Sequence, residues 1–96
     1  MEDEDFIKYV DLLKELKFNI GTKGFAYWIY AIGEFKANKT EILQIYKTLA
    51  EKEGKTWQYI EGSMKYTRKN SDRYIRNYFN YSGRLTNRII LNLIKL

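Results

Sequence analysis

The chain has 96 residues, 45% of them hydrophobic and 30% charged, with a formal net charge of +5 at pH 7 and no proline, cysteine or histidine. That length suits one domain with one core. The missing residue types exclude a disulfide framework, cysteine nucleophiles and cysteine metal sites, and remove the commonest general base and zinc ligand. No apolar run approaches the ~20 residues of a membrane span. The acidic start, Met1-Glu-Asp-Glu-Asp5, is the reverse of a signal peptide's basic one. A cytoplasmic protein is expected, and the acceptor patterns Asn38-Lys-Thr and Asn80-Tyr-Ser carry no meaning without a secretory signal.

β-branched residues are scattered rather than alternating, which predicts an all-α bundle of five to six helices. The first helix is expected from about Glu4 to Leu16, with a buried stripe of Phe6, Val10, Leu13 and Phe18, and Ile7 and Leu12 alongside. Its acidic start complements the helix dipole. Residues 19–24, Asn-Ile-Gly-Thr-Lys-Gly, form a loop of turn formers. They lack the Gly-Lys-Ser/Thr ending and the preceding strand of a phosphate-binding loop. A second helix from about Gly24 to Phe35 buries Phe25, Trp28, Ile29 and Ile32, flanked by Tyr27, Tyr30 and Ala31.

Ala37-Asn-Lys breaks this pattern, and Thr40 is expected to cap a third helix through Ile42, Leu43, Ile45, Tyr46, Leu49 and Ala50, ending near Glu53. Gly54 stands where helix C-termini favour glycine. Thr56 is placed to cap a fourth helix reaching about Lys69. Asn70-Ser-Asp72 stops and restarts the chain before a short helix holding Tyr74, Ile75, Tyr78 and Phe79. After the turn at residues 80–83, Thr86 caps a last helix with Ile89, Ile90, Leu93, Ile94 and Leu96.

Residues 46–69 read as a helix-turn-helix. The small Ala50 suits a close helix crossing, Gly54 the turn, and Ile60 drops the next helix back onto Leu49 and Ala50. Trp57, Ile60, Met64 and Thr67 form the inward face of the fourth helix. Gln58, Tyr59, Glu61, Gly62, Lys65, Tyr66 and Lys69 form its outward face. Gln pairs bidentately with adenine, Glu accepts from cytosine, and Lys reaches guanine or phosphate. Gly62 either lets the helix approach a groove floor closely or is a tolerated defect costing roughly 1 kcal/mol. From Lys55 onward, Lys55, Lys65, Arg68, Lys69, Arg73, Arg76, Arg84, Arg88 and Lys95 are opposed only by Glu61 and Asp72. A basic half on a near-neutral half is the footprint of a polyanion binder.

The order of motifs resembles the C-terminal DNA-binding domain of the sporulation stage-zero factor A family of response regulators. The resemblance spans roughly Val10 to the end of the chain. It rests on Leu12-Leu-Lys-Glu-Leu16 followed by Thr22-Lys-Gly-Phe-Ala-Tyr27 and Ala31-Ile32, and on Ile45-Tyr46-Lys-Thr-Leu49-Ala50-Glu-Lys52. It continues through Thr56 to Met64 with Glu61 kept, then Phe79-Asn-Tyr81 and Thr86-Asn87. It implies a transcriptional regulator whose recognition helix enters duplex DNA, with copies docked head to tail on adjacent sites. Gln58, Tyr59, Glu61, Gly62 and Lys65 then fall at base and nearby backbone contacts, and Arg84 near a residue that reaches the backbone. Phosphate contacts are expected from Lys55, Thr56, Tyr66, Arg68, Lys69, Arg73 and Arg84.

The chain departs from the family where Tyr59 and Gly62 replace arginines, so its DNA box is expected to differ. Lys47 stands for a proline, and two family helices are expected to be fused from Thr40 to Glu53. The receiver domain is absent from these 96 residues. If Met1 is the natural start, the chain is a free-standing effector; if the chain is a fragment, that expectation lapses. Two other readings stay open. One is a protein-interaction module that binds a related regulator or itself. The other is a single-strand binder stacking bases on Tyr66, Tyr74, Tyr78 and Tyr81. No catalysis, cofactor, metal or small-molecule substrate is expected, and no membrane association.

Overall fold

The computed structural model describes residues 3–94. Six helices follow one another: α1 Asp3–Glu15, α2 Lys23–Ala37, α3 Ile42–Glu53, α4 Trp57–Thr67, α5 Asp72–Phe79 and α6 Asn87–Ile94. No strand occurs among the described residues. The fold is the all-α bundle of five to six helices that the patterning predicts. Leu96, placed in the last helix from sequence, lies outside the described residues.

The core draws on every helix. Leu13, Trp28, Ile45, Ile60, Met64, Ile75, Ile90 and Leu91 are all essentially inaccessible. Burying one such side chain contributes about 1.5–3 kcal/mol. α4 lies at the centre, packed on α2, α3 and α6.

α1 presents a different face from the one expected. Phe6 and Ile7 are 48% and 58% exposed, while Tyr9 and Leu13 are buried. Apolar residues occur nearly all round this helix, so its partner α2, rather than spacing, selects the inward side. Its end is sharp. Lys17 takes a left-handed φ of 67°, and Phe18 N–H donates to Leu13 O and Lys17 N–H to Lys14 O, both at 3.0 Å. These paired bonds satisfy two terminal carbonyls, and Leu13 and Phe18 are buried beneath them.

α3 is a single helix, but its cap lies one residue later than expected, at Glu41 rather than Thr40. Thr40 Oγ1 instead donates to Glu34 Oε2 at 3.3 Å, an oxygen that also receives Asn38 Nδ2 at 2.8 Å. The end of α2 therefore claims the hydroxyl. Leu43, expected among the apolar positions of α3, is 41% exposed.

Candidate nucleic-acid interface

The turn between α3 and α4 is built from the backbone outward. Gly54 has φ 65° and ψ 36°, left-handed values that glycine adopts without a Cβ penalty. Lys55 N–H donates to Ala50 O at 2.9 Å and Gly54 N–H to Glu51 O at 3.4 Å, closing α3. Two residues on, Thr56 Oγ1 accepts from Tyr59 N–H at 3.2 Å and starts α4. A three-residue connection with both ends capped fixes how the two helices meet. Tyr46 of α3 stacks on Trp57 of α4, with centroids 6.3 Å apart and rings within 5° of parallel. Trp57 is thus packed rather than free to stack on a base.

The inner face of α4 is held by more than apolar burial. Ile60, Met64 and Thr67 are buried on it as predicted. Trp28 Nε1 donates to Met64 O at 2.9 Å, and Asn19 N–H donates to Thr67 O at 2.9 Å. Carbonyls at a helix end lack intrahelical partners, and here a side chain of α2 and the loop before α2 supply the donors. Thr67 Oγ1 donates to Ser63 O at 3.0 Å and lies 2.6 Å from Thr22 Oγ1. Gly24 makes this contact close. A Cβ there would sit 2.9 Å from the Ser63 carbonyl carbon and nearer still to Thr67 Oγ1 and Ser63 O.

Arg68, expected among the phosphate contacts, is turned inward and only 8% exposed. Its Nε donates to Asn87 Oδ1 at 2.8 Å, and its Nη1 pairs with Asp72 Oδ1 at 3.2 Å. Asn87 Nδ2 in turn donates to Tyr46 Oη at 3.1 Å and to Glu61 O at 3.3 Å. Burial draws the Arg68 guanidinium pKa downward, opposed by the Asp72 carboxylate. Burial also pushes the Tyr46 hydroxyl pKa upward. The chain Tyr46–Asn87–Arg68 thus ties α3, α4 and α6 together through buried polar groups, and Arg68 extends it to the exposed Asp72 at the start of α5.

The outer face of α4 brings most of the other expected residues together. Gln58, Gly62, Lys65 and Lys69 are exposed, and Glu61 is half-buried. Tyr59 and Tyr66 are 41% and 55% exposed. Gly62 contrasts with Gly24: nothing lies within 4 Å of where its Cβ would be. On one flank of α4, a shallow groove of about 470 Å³ runs between Tyr59, Gly62 and Tyr66 and the start of α2 at Thr22 and Lys23. On the other flank, a groove of about 370 Å³ runs between Glu61 and Lys65 and the residues Arg84 and Arg88 around the start of α6.

The 80–86 loop is well anchored around Arg84. Tyr81 Oη donates to the Arg84 carbonyl at 3.2 Å, and Leu85 is buried beside it. Thr86 Oγ1 accepts from Ile89 N–H at 3.1 Å, capping α6 as expected and setting Arg88 in its first turn.

Lys55 lies over the Tyr59 ring at 5.2 Å and Lys69 over the Tyr66 ring at 4.6 Å. Both lysines thus stand at the edge of the tyrosine side. Thr56 spends its hydroxyl on the cap. Arg73 is exposed on α5, 5.2 Å from the Tyr74 ring, and lines neither groove. Lys23 and Arg88 were not among the sequence-derived site residues, yet they line the two grooves. A signal for Arg88 existed: the Thr86 cap puts it on the first turn of a basic helix start. Lys23 had none, because only folding brings the start of α2 beside α4.

No family model, curated protein or solved structure matches the chain. The resemblance to sporulation regulators therefore rests on its sequence motifs. No group of three or more acidic side chains is arranged to hold a metal among the described residues. No helix among them is long and apolar enough to cross a membrane.

Proposed function

We propose that this chain binds double-stranded DNA by laying the outer face of α4 into the major groove, and that it acts as a cytoplasmic transcriptional regulator. One observation carries the reading. The exposed face of α4 lies between two grooves, walled by Lys23 on one side and by Arg84 and Arg88 on the other. Among the described residues, none of these three cations, nor Lys65 between them, has an ion-pair partner. An α-helix fits the major groove, and cations on either side of it meet the two phosphate backbones.

Gln58, Glu61, Gly62 and Lys65 are the proposed base-reading positions, with Tyr59 beside them. Lys23, Lys55, Lys69, Arg84 and Arg88 supply the proposed backbone contacts. Arg68 is left out because Asn87 and Asp72 hold it. The sequence resemblance supports the same reading and adds head-to-tail docking of copies as part of the proposal. Gel-shift titration at two salt concentrations tests it. Arg84→Ala, at a proposed backbone contact, is expected to weaken binding to all duplexes and to lower the salt slope by about one unit. Failure to bind any duplex at low salt would sink the proposal.

A second reading has its own observation. Phe6 borders a groove of about 340 Å³ on α2 lined by Ile29, Tyr30, Gly33 and Ala37, with Glu34 and Asn38 at its polar end, and both Phe6 and its neighbour Ile7 are exposed. Apolar side chains grouped this way suit a protein partner. Size-exclusion chromatography with and without duplex DNA separates the two readings. Oligomers indifferent to DNA favour protein interaction.

A further inference from the structure

The outer face of α4 is divided lengthwise. At ~100° per residue, Glu61 and Lys65 fall to one side of Gln58, and Tyr59 and Tyr66 to the other, with Gly62 near the middle. The two grooves follow the same division: Glu61 and Lys65 line one, while Tyr59, Gly62 and Tyr66 line the other. The first side offers a carboxylate and an ammonium, suited to the donors and acceptors of base edges. The second offers two half-exposed aromatic rings and, between them, a stretch of bare backbone at Gly62.

Bare backbone between two rings makes a recess that an apolar group can enter. In the major groove the apolar group presented by a base is the 5-methyl of a pyrimidine. The surroundings suit a nucleic acid. Lys55 and Lys69 sit on the two tyrosine rings, and Lys23 lines the opposite wall of the groove. An apolar recess rimmed by cations matches a methyl group carried between phosphates better than it matches an uncharged apolar ligand.

We propose that the recess over Gly62, between Tyr59 and Tyr66, receives the 5-methyl group of a pyrimidine in duplex DNA. This rests on the reading of α4 as the major-groove helix and gives its tyrosine side a specificity. Thymine and 5-methylcytosine both carry the group. The proposal therefore concerns the methyl, and each base is an arm of the test.

The probe is a duplex chosen from a random pool for tight binding, then resynthesised with deoxyuridine at each thymine in turn. At one or two positions, removal of the methyl is expected to weaken binding about fourfold, the worth of burying one methylene-sized group. A cytosine analogue of the duplex at such a position is expected to gain a similar factor when the cytosine is replaced by 5-methylcytosine. Gly62→Ala fills the recess without disturbing the interior, since its Cβ meets nothing within 4 Å. This variant should fold, bind duplex more weakly and lose the thymine-over-uracil preference. Wild-type protein that binds duplex but treats thymine and uracil alike at every position overturns the methyl reading alone. A G62A variant that keeps the preference overturns it too. A protein that binds no member of the pool overturns both this inference and the DNA reading beneath it.

Discussion

Two glycines line the same flank of α4, Gly24 from the start of α2 and Gly62 from α4 itself, yet the space where each would carry a side chain differs. Gly24 lies against the inner end of α4, where Thr67 Oγ1 and the Ser63 carbonyl occupy the space of a side chain. Gly62 lies on the outer face, where that space is empty. The first glycine is required by packing between α2 and α4. The second answers to nothing inside the molecule and weakens the helix that carries it. Along one groove, the same residue type permits close packing at Gly24 and leaves an opening at Gly62.

The sharpest way to break this contrast is to add one methyl group at each glycine. Gly24→Ala is expected to cost about 3 kcal/mol, because the new atom meets backbone and a hydroxyl already held in a buried network. Urea titration followed by circular dichroism reads the loss, and a midpoint within error of wild type would show that α2 can slide. Asn87→Ala acts on the same inner side. It strands Arg68 Nε, which loses its partner in the interior, and is expected to cost about 2–3 kcal/mol. The same titration checks it.

Tyr27 tests how far the inner network extends. Its hydroxyl donates to Glu53 Oε1 at 2.6 Å, tying α2 to the end of α3 just before the turn. Tyr27→Phe is expected to cost about 1 kcal/mol at neutral pH. Burial, aided by Glu53, pushes the Tyr27 pKa well above 10, and burial also raises that of Tyr46. In the unfolded chain both hydroxyls titrate near their ordinary value of about 10. Above that pH the folded state holds protons that the unfolded state has released. The stabilisation is therefore complete below pH 10 and is lost as pH rises through the folded-state values. Urea midpoints at about pH 8 and pH 10.5 should fall for wild type, and fall less for Y27F.

On the outer face the sign reverses. Gly62→Ala is expected to raise stability by roughly 0.5–1 kcal/mol, as alanine normally does in an exposed helix interior. A thermal melt should show the gain, and a loss would mean that the recess has a structural role. The smallest effect concerns Ser71, fully buried before α5 with no hydrogen-bond partner for its hydroxyl among the described residues. Ser71→Ala removes an unpaired polar group and should leave the melting temperature unchanged or slightly higher.

Much of the scaffold is legible in the sequence because its signals are local. Thr56 and Thr86 lie where cap chemistry places them, and Gly54 takes the left-handed conformation that helix endings favour. The face of α1 is not legible. Six apolar or aromatic residues between Phe6 and Leu13 surround the helix, and only contact with α2 decides that Tyr9 goes inside while Phe6 stays out. The end of α1 escapes for a similar reason, since a lysine rather than a glycine takes its left-handed position. At the candidate site, helical spacing identifies which residues of α4 face outward. It cannot show that Arg68 is withdrawn from the basic surface, because Asn87, its partner, lies 19 residues away in sequence.

The series of hydrogen bonds through Tyr46, Asn87 and Arg68 has a mechanical consequence. It sets the distance from the outer face of α4 to the cations around the start of α6. If α4 enters DNA as proposed, this spacing acts as a gauge set by the fold. In the proposed complex such a gauge accepts a duplex whose major groove already has the right width. It rejects an A-form helix, whose major groove is too deep and narrow to admit α4, whatever the sequence of its bases.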